Sequence, residues 1–351
     1  MQNKLITLDE IIWEITGACL NKCKYCGSSA NWNDPISEIE IIEICDAIAK
    51  FPPKSINISG GDPTLISYYT HKIITNTLKT SQPKIIINPK SYLRLKSEKL
   101  SLREILDLYY WTGISINSQD ELDAFLKYWN SFEHSYNEKC PITIISNFNL
   151  INLFLFDKIQ KLVKDLNVIW QIQLTMYHNK TNELALYNPN NNEAWNHFEK
   201  KITSAFKEKV KIILADNINS GKCTAGSQSL GILSNGNVIP CLSMRSWHSN
   251  INTVYQGNLF KDSLKNIWIE NFKNYRFENF ECCKDHCNNK CFTIDKTRNS
   301  PKSIFEDFII QKQEDDKIYK PEKCQPPAIY VYGVTTPITM LYGVQDTPSI
   351  T

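Results

Sequence analysis

From the N-terminus to residue 214, apolar runs of β type alternate with segments of helical period. The runs are IIWEIT (11–16), SINIS (55–59), KIIIN (84–88), GISIN (113–117), ITIIS (142–146), VIWQIQLTM (168–176) and VKIIL (210–214). Between them, SEIEIIEICDAIAK, LISYYTHKIITNTLK, LREILDLYY, ELDAFLKYW, NLFLFDKIQKLVKDL and NEAWNHFEKKITSAFKEK repeat apolar residues three and four positions apart. Period two inside a run and period 3.6 between runs predict strands and amphipathic helices in turn. Such alternation makes an α/β protein with a parallel sheet and helices outside it, and six or seven units favour a partly or fully closed barrel. In such sheets ligands collect where the strands end, on the loops leaving their C-terminal edges.

That rule directs attention to two loops. GACLNKCKYC leaves the first strand and sets Cys19, Cys23 and Cys26 in C-x3-C-x2-C spacing. SGGDPT leaves the second, where Gly60 and Gly61 allow close backbone approach and Pro63 stiffens the exit. Three thiolates this close hold a metal centre, yet zinc and a cubic iron–sulfur cluster each normally want four ligands. A zinc ribbon or redox site stands as the plain alternative, although zinc sites usually pair two C-x2-C knuckles and none follows nearby.

Composition narrows the setting. With 39 basic and 37 acidic residues the net charge is +2, so charge announces neither nucleic acid nor a membrane surface as partner. Asp9, Glu10 and Glu14 interrupt the region where a secretory signal would need a long apolar stretch, and no later run spans a bilayer, which predicts a cytoplasmic protein. In that reducing compartment twelve cysteines are metal ligands more readily than disulfides.

The first loop resembles the signature of the radical S-adenosylmethionine (SAM) enzymes, C-x3-C-x-aromatic-C, with Tyr25 at the aromatic place. SGGDPT is similar to that family's GGEP-type loop, with Asp62 in place of Glu. The resemblance implies that Cys19, Cys23 and Cys26 bind three irons of a 4Fe-4S cluster and that SAM takes the fourth, which would answer what completes the site. It also implies that Gly60, Gly61 and Asp62 hold the methionine end of SAM. ISINS resembles the family's fourth-strand Ser-x-Asp pattern, with Ser115 kept and Asn117 replacing Asp, and Asn147 stands where the fifth strand offers a polar contact to SAM. The implied fold is a radical SAM partial (β/α)6 barrel over residues 1–216.

A second cysteine set follows. Cys223 and Cys241 bracket Gly236, after which come Cys282, Cys283, Cys287, Cys291 and the distant Cys324. This resembles the SPASM domain, which carries two auxiliary 4Fe-4S clusters, and it assigns residues 217–326 to that unit. By the family's interleaved ligation, Cys223, Cys241 and Cys291 would serve the nearer cluster; Cys287, Cys324 and either Cys282 or Cys283 would serve the farther one. The adjacent pair departs from the family's spacing, and neighbours in extended chain point to opposite sides, so one of the two is spare or a cluster is incomplete. A structural zinc module is the alternative for this set.

Other residues carry less. Cys45 sits at helical spacing from Ile41 and Ile42 and reads as a core residue; Cys140 precedes the fifth strand, at the barrel end away from the first loop. No catalytic acid, base or hydrogen donor is identified. Relatives of this kind act on peptides or proteins, take electrons from a flavodoxin or ferredoxin, and can carry a leader-binding domain, for which the eighteen residues before Cys19 are too few, so leader recognition, if needed, would use a separate protein or another surface. The resemblance therefore implies hydrogen abstraction from a peptide or protein. The alternatives are a sulfatase-maturing type of dehydrogenase that makes formylglycine, and a non-catalytic cluster-binding partner, against which the intact cysteine triad argues. Residues 327–351 hold an imperfect Thr- and Pro-rich repeat, Tyr332-Gly333-Val334 and Tyr342-Gly343-Val344, expected to act as a substrate-like or docking tail, or as a bland linker.

Overall fold

The computed structural model describes residues 7–21, 23–26, 28, 30, 37–90, 102–131, 142–175, 183–186, 193–214, 225–242 and 254–276. Cys140, Cys223, Cys282, Cys283, Cys287, Cys291 and Cys324 lie outside the described residues, as does the 327–351 repeat.

Seven strands and six helices alternate as the periodicity requires. They are β1 (Glu10–Thr16), α1 (Glu38–Ala49), β2 (Ser55–Gly60), α2 (Tyr68–Thr77), β3 (Pro83–Ile87), α3 (Leu102–Leu108), β4 (Trp111–Ser115), α4 (Gln119–Ser131), β5 (Ile142–Phe148), α5 (Phe156–Leu166), β6 (Ile169–Leu174), α6 (Glu193–Lys207) and β7 (Ile212–Leu214). Strands β1 to β7 pair in chain order and in parallel. Three further strands, β8 (Ser229–Ile232), β9 (Asn237–Ile239) and β10 (Gly257–Asn258), extend the same sheet. β8 lies parallel to β1 on the edge opposite β2, and β9 and β10 continue antiparallel. The periodicity argument stopped at residue 214 and missed them because each is at most four residues long. The proposed boundary at 216/217 thus falls between two strands of one continuous sheet.

Alternation along each strand separates two environments. On the helix side Ile11, Trp13, Ile56, Ile58, Ile85, Ile114, Ile144, Trp170 and Ile172 join one apolar core with the inner faces of the helices. Cys45 is fully buried in that core, as its helical spacing predicts. Phe148, Phe156, Trp170 and Phe198 meet there with ring centroids 4.8 to 6.1 Å apart, at separations favourable for aromatic pairs. The other face carries Glu14, Asn57, Ser115, Asn147, Gln171 and Gln173, and its curl brings the ends of β1 to β6 around one cavity. Among the described residues no helix is long and apolar enough to cross a membrane.

Helix ends are fixed locally. Ser37 caps α1 and Ser67 caps α2, each accepting a main-chain N–H three residues on, which satisfies groups a helix start leaves open. Glu38 ties the two together, accepting from the N–H and hydroxyl of Ser67 and from the hydroxyl of Thr70.

Behind the second loop, His71 of α2 is fully buried, with Nε2 2.9 Å from the Pro63 carbonyl oxygen and Nδ1 2.5 Å from the Tyr109 hydroxyl. A carbonyl only accepts, so Nε2 carries the proton and Nδ1 accepts from the tyrosine. Burial pushes the His71 pKa down to about 4, with the Pro63 carbonyl and Glu38 pulling weakly the other way. A histidine in the unfolded chain protonates near 6.5, so between that pH and about 4 the unfolded state binds the extra proton and stability falls as pH is lowered. The loss across that window should be about 3 kcal/mol, measurable by urea unfolding at stepped pH. His71→Gln should flatten the profile there; an unchanged slope would show that other groups dominate it.

Candidate functional site

The two loops singled out in the sequence are hydrogen-bonded to each other through main chain. Gly61 donates to the Thr16 carbonyl at 2.7 Å, and Asp62 to the Ala18 carbonyl at 2.8 Å. The contact needs glycine. Gly60 has φ +125°, a region L side chains rarely adopt, and a Cβ on Gly61 would stand 2.1 Å from the Ala18 oxygen. The loop after β1 is further set by Thr16 Oγ1, which accepts from Ala18 N–H, and by a turn in which Cys26 N–H donates to the Cys23 carbonyl.

Cys19, Cys23, Cys26 and Tyr25 line one cavity with Gly60 and Gly61, and Ser115, Asn117 and Asn147 enter it from the ends of β4 and β5. Asp62 does not line it. Its side chain is 1% exposed, and Oδ1 accepts from the N–H and hydroxyl of Thr64, capping the short turn at Pro63–Leu65. The carboxylate thus shapes the loop, and the glycine backbone faces the cavity. Cys241, the one described cysteine of the second set, is buried, and its neighbour Leu242 reaches the same cavity.

Burial dominates the electrostatics of the Cys23 thiol. Burial pushes the Cys23 pKa up to about 12, with the negative charges of Glu121, Cys26 and Cys19 adding to it. Such a thiol stays protonated at neutral pH, and a bound cation is what would make it a thiolate. Burial likewise raises the Tyr25 phenol, which is hydrogen-bonded to Cys23, so it remains a neutral donor. Among the described residues no three His, Cys, Asp or Glu side chains gather closely enough to hold a single ion.

A chain of hydrogen bonds ties the strand ends behind these loops. Asn88, after β3, donates its amide to Glu121 Oε1 at 2.6 Å, and the Asn117 N–H donates to Glu121 Oε2 at 2.5 Å. Asn117 Oδ1 accepts from the Asn147 N–H at 2.6 Å, and its Nδ2 donates to Ser115 Oγ at 2.7 Å. Thr175 closes the chain by donating to Asn147 Oδ1 at 2.6 Å. Both polar atoms of Asn117 are therefore engaged in the rim, whereas Asn147 Nδ2 has no hydrogen-bond partner among the described residues. Burial raises the Glu121 carboxyl above its ordinary range, opposed by its bonds from Asn88 and Asn117.

Sequence reasoning passed over Glu121, Asn88, Glu14 and Gln173. Glu14 lines the cavity from β1 and accepts from Ser28 Oγ at 2.6 Å; Gln173 lines it from β6. Their signal was present as a polar residue inside an apolar run, EIIWEIT and IWQIQL. Glu121 had no such signal, because one acidic residue at the start of a helix is ordinary.

Residues 223–291 match the SPASM family, an iron-sulfur cluster-binding domain. A comparison with curated protein sequences gave no match. Among solved structures, the fold matches Streptococcus suis SuiB bound to precursor peptide SuiA, with a TM-score of 0.54 and 16% identity over 79% of this chain and 68% of that one. The same protein bound to S-adenosylmethionine gives 0.52 and 15% over 77% and 68%. Native anSMEcpe with bound AdoMet and Cp18Cys peptide gives 0.53 and 14% over 80% and 86%. At these identities the likeness is one of fold: a curled α/β sheet joined to a cysteine-rich SPASM segment.

Removing Glu121 strips acceptors from two partly buried donors at once. Glu121→Ala should cost about 1–3 kcal/mol in denaturant unfolding, by the penalty for unpaired buried groups. A loss too small to measure would mean that the rim network does not hold the strand ends.

Proposed function

We propose that the chain is a radical SAM/SPASM enzyme that modifies a peptide or protein. The observation that carries the reading is the convergence of the three-cysteine loop and the double-glycine loop, from adjacent strands, on one cavity. Cys19, Cys23 and Cys26 would hold a 4Fe-4S cluster. The C-x3-C-x-aromatic-C spacing beside the double-glycine loop supports this over zinc, since zinc sites usually pair two C-x2-C knuckles. Backbone at Gly60 and Gly61 would meet the methionine end of SAM, with Asp62 keeping that loop in shape. Ser115 and the unpartnered Asn147 Nδ2 would supply polar contacts farther along the rim, Asn117 holds those two in register, and Tyr25, inside the cluster loop, hydrogen-bonds to Cys23.

When bound, the cluster and SAM would supply the difficult chemistry, reductive cleavage of SAM into a radical able to take a hydrogen atom from the substrate, with the electron coming from a flavodoxin or ferredoxin. The chain's own part is to hold these groups and keep water out. The apolar core behind the sheet and the tied strand ends give it a rigid frame for that. The SPASM match over residues 223–291 supports iron–sulfur binding there; two auxiliary 4Fe-4S clusters would be held by Cys223, Cys241 and Cys291, and by Cys287, Cys324 and Cys282 or Cys283. The peptides bound to SuiB and anSMEcpe support a peptide substrate here, recognised with or without a separate leader-binding protein. The cysteine content fits the cytoplasm.

The test is anaerobic reconstitution with dithionite and SAM. The native protein should form 5′-deoxyadenosine and bind about twelve irons per chain by the four-ligand rule with one open position. Replacing Cys19, Cys23 and Cys26 with Ala should abolish 5′-deoxyadenosine and leave about eight irons. Undiminished product from the triple variant would refute the assignment, and about four irons with bound zinc would refute the SPASM reading.

A further inference from the structure

One side chain on the cavity wall has no assigned role. Gln173, on the inner face of β6, is 1% exposed, and among the described residues neither its oxygen nor its nitrogen has a hydrogen-bond partner. Its register partner on β5 is Asn147, which lines the same cavity about 4.8 Å away across the ladder. The Thr175 hydroxyl donates to Asn147 Oδ1 at 2.6 Å, which fixes the end of that amide already taken. Nδ2 is the end left open. Buried amides are almost always bonded, so two donors and one acceptor standing open side by side on one cavity wall mark a place that a ligand completes.

The open atoms specify the ligand by exclusion. Ser115, Asn117, Asn147 and Gln173 on this wall are neutral, so a charged group here would lose its hydration without meeting an opposite charge. A hydroxyl offers a single oxygen, which cannot bond Nε2 and Oε1 of one carboxamide in good geometry. A main-chain trans amide turns its N–H and C=O to opposite sides and meets only one of them. An adenine edge does place a donor beside an acceptor, but its ring nitrogen has one lone pair and serves one of the two open nitrogens. A primary carboxamide holds C=O and N–H on the same side, and its oxygen has two lone pairs. It accepts from Gln173 Nε2 and Asn147 Nδ2 while donating to Gln173 Oε1.

We infer that Gln173 and Asn147 form a substrate subsite for a primary carboxamide, so that the peptide bound in the cavity presents an Asn or Gln side chain to the wall made by β5 and β6. This rests on the reading of the substrate as a peptide. Asn147 Nδ2 carries two hydrogens, so it serves this group and a rim contact to the cofactor together. A peptide with a carboxylate or an apolar side chain in that place would leave buried amides unpaired, and sites built to hydrogen-bond a substrate group discriminate strongly against analogues that lack it. Gln173 is thereby a specificity-determining residue.

The test soaks crystals of the reconstituted protein, with and without SAM, in acetamide, a minimal primary carboxamide, and in N-methylacetamide, a trans amide, as its control. Acetamide should lie in plane with the Gln173 carboxamide at about 3 Å, its oxygen toward Nε2 and Asn147 Nδ2 and its nitrogen toward Oε1. N-methylacetamide should not take that place. Gln173→Leu should abolish the occupancy. Gln173→Glu, which only accepts when ionised, should exchange acetamide for acetamidine, whose two N–H groups face one carboxylate. If either variant fails to fold, the contrast between the two amides in the native protein still decides. Equal occupancy by both amides, acetamide equally placed in Gln173→Leu, or an adventitious additive only would overturn the inference. So would a ligand-free crystal in which the Gln173 carboxamide is bonded to another group of the protein. Acetamide bound without SAM and expelled by it would assign the open edge to adenine instead. Acetamide placed as expected in a protein that forms no 5′-deoxyadenosine would count against the enzymatic reading alone, since occupancy is measured without turnover.

Discussion

β1 is held along both of its edges, by β2 on one side and β8 on the other, and the mouth of the barrel depends on that double pairing. With both rows of main-chain groups used, the strand has little freedom to slide or splay, and its seven residues are all buried. The cysteine loop begins where this strand ends. Its course is therefore set by β1 from behind and by the Gly61 and Asp62 N–H groups from the side. The SPASM-matched residues contribute to this clamp directly, because β8 falls within 223–291 and lies against the cysteine-bearing strand.

The two faces of the sheet follow different rules. Toward the helices, isoleucine and aromatic side chains form a dry core whose stability comes from area removed from water, about 25 cal/mol per Å². Toward the cavity, Glu14, Asn147, Gln171 and Gln173 are buried polar groups, which is expensive unless each finds a partner. Part of that cost is met by the rim chain through Asn88, Glu121, Asn117, Asn147 and Thr175. Asn147 Nδ2 and the Gln173 carboxamide, which line the cavity, have no hydrogen-bond partner among the described residues. The exposed ion pairs, such as Lys54 with Asp9, lie away from this and contribute little in water.

Substituting Asn for Asp at position 117 fits this arrangement. An asparagine both accepts, from the Asn147 N–H, and donates, to Ser115 Oγ, whereas an ionised aspartate could only accept. It also stands next to the buried Glu121 carboxylate, beside which a second negative charge would be costly. The rim is consequently held by neutral amides, with the single carboxylate of Glu121 bonded at both oxygens.

The sequence by itself determined the alternating elements, because period two and period 3.6 are local properties of neighbouring residues. It determined the position of the cysteine and glycine loops for the same reason: each directly follows an apolar run and must leave the same edge of a parallel sheet. Tertiary structure alone decided which polar side chains face the ligand. Asp62 turns inward to cap its own loop, Glu121 reaches back from α4 to Asn88 and Asn117, and β8 joins β1 across more than two hundred residues. Those outcomes depend on which strands curl toward one another, and no local period carries that information. The glutamines of β6 stand between the two cases. Their alternation with Trp170, Ile172 and Leu174 was legible, but that the side opposite those residues encloses a cavity was settled by the curl of the sheet.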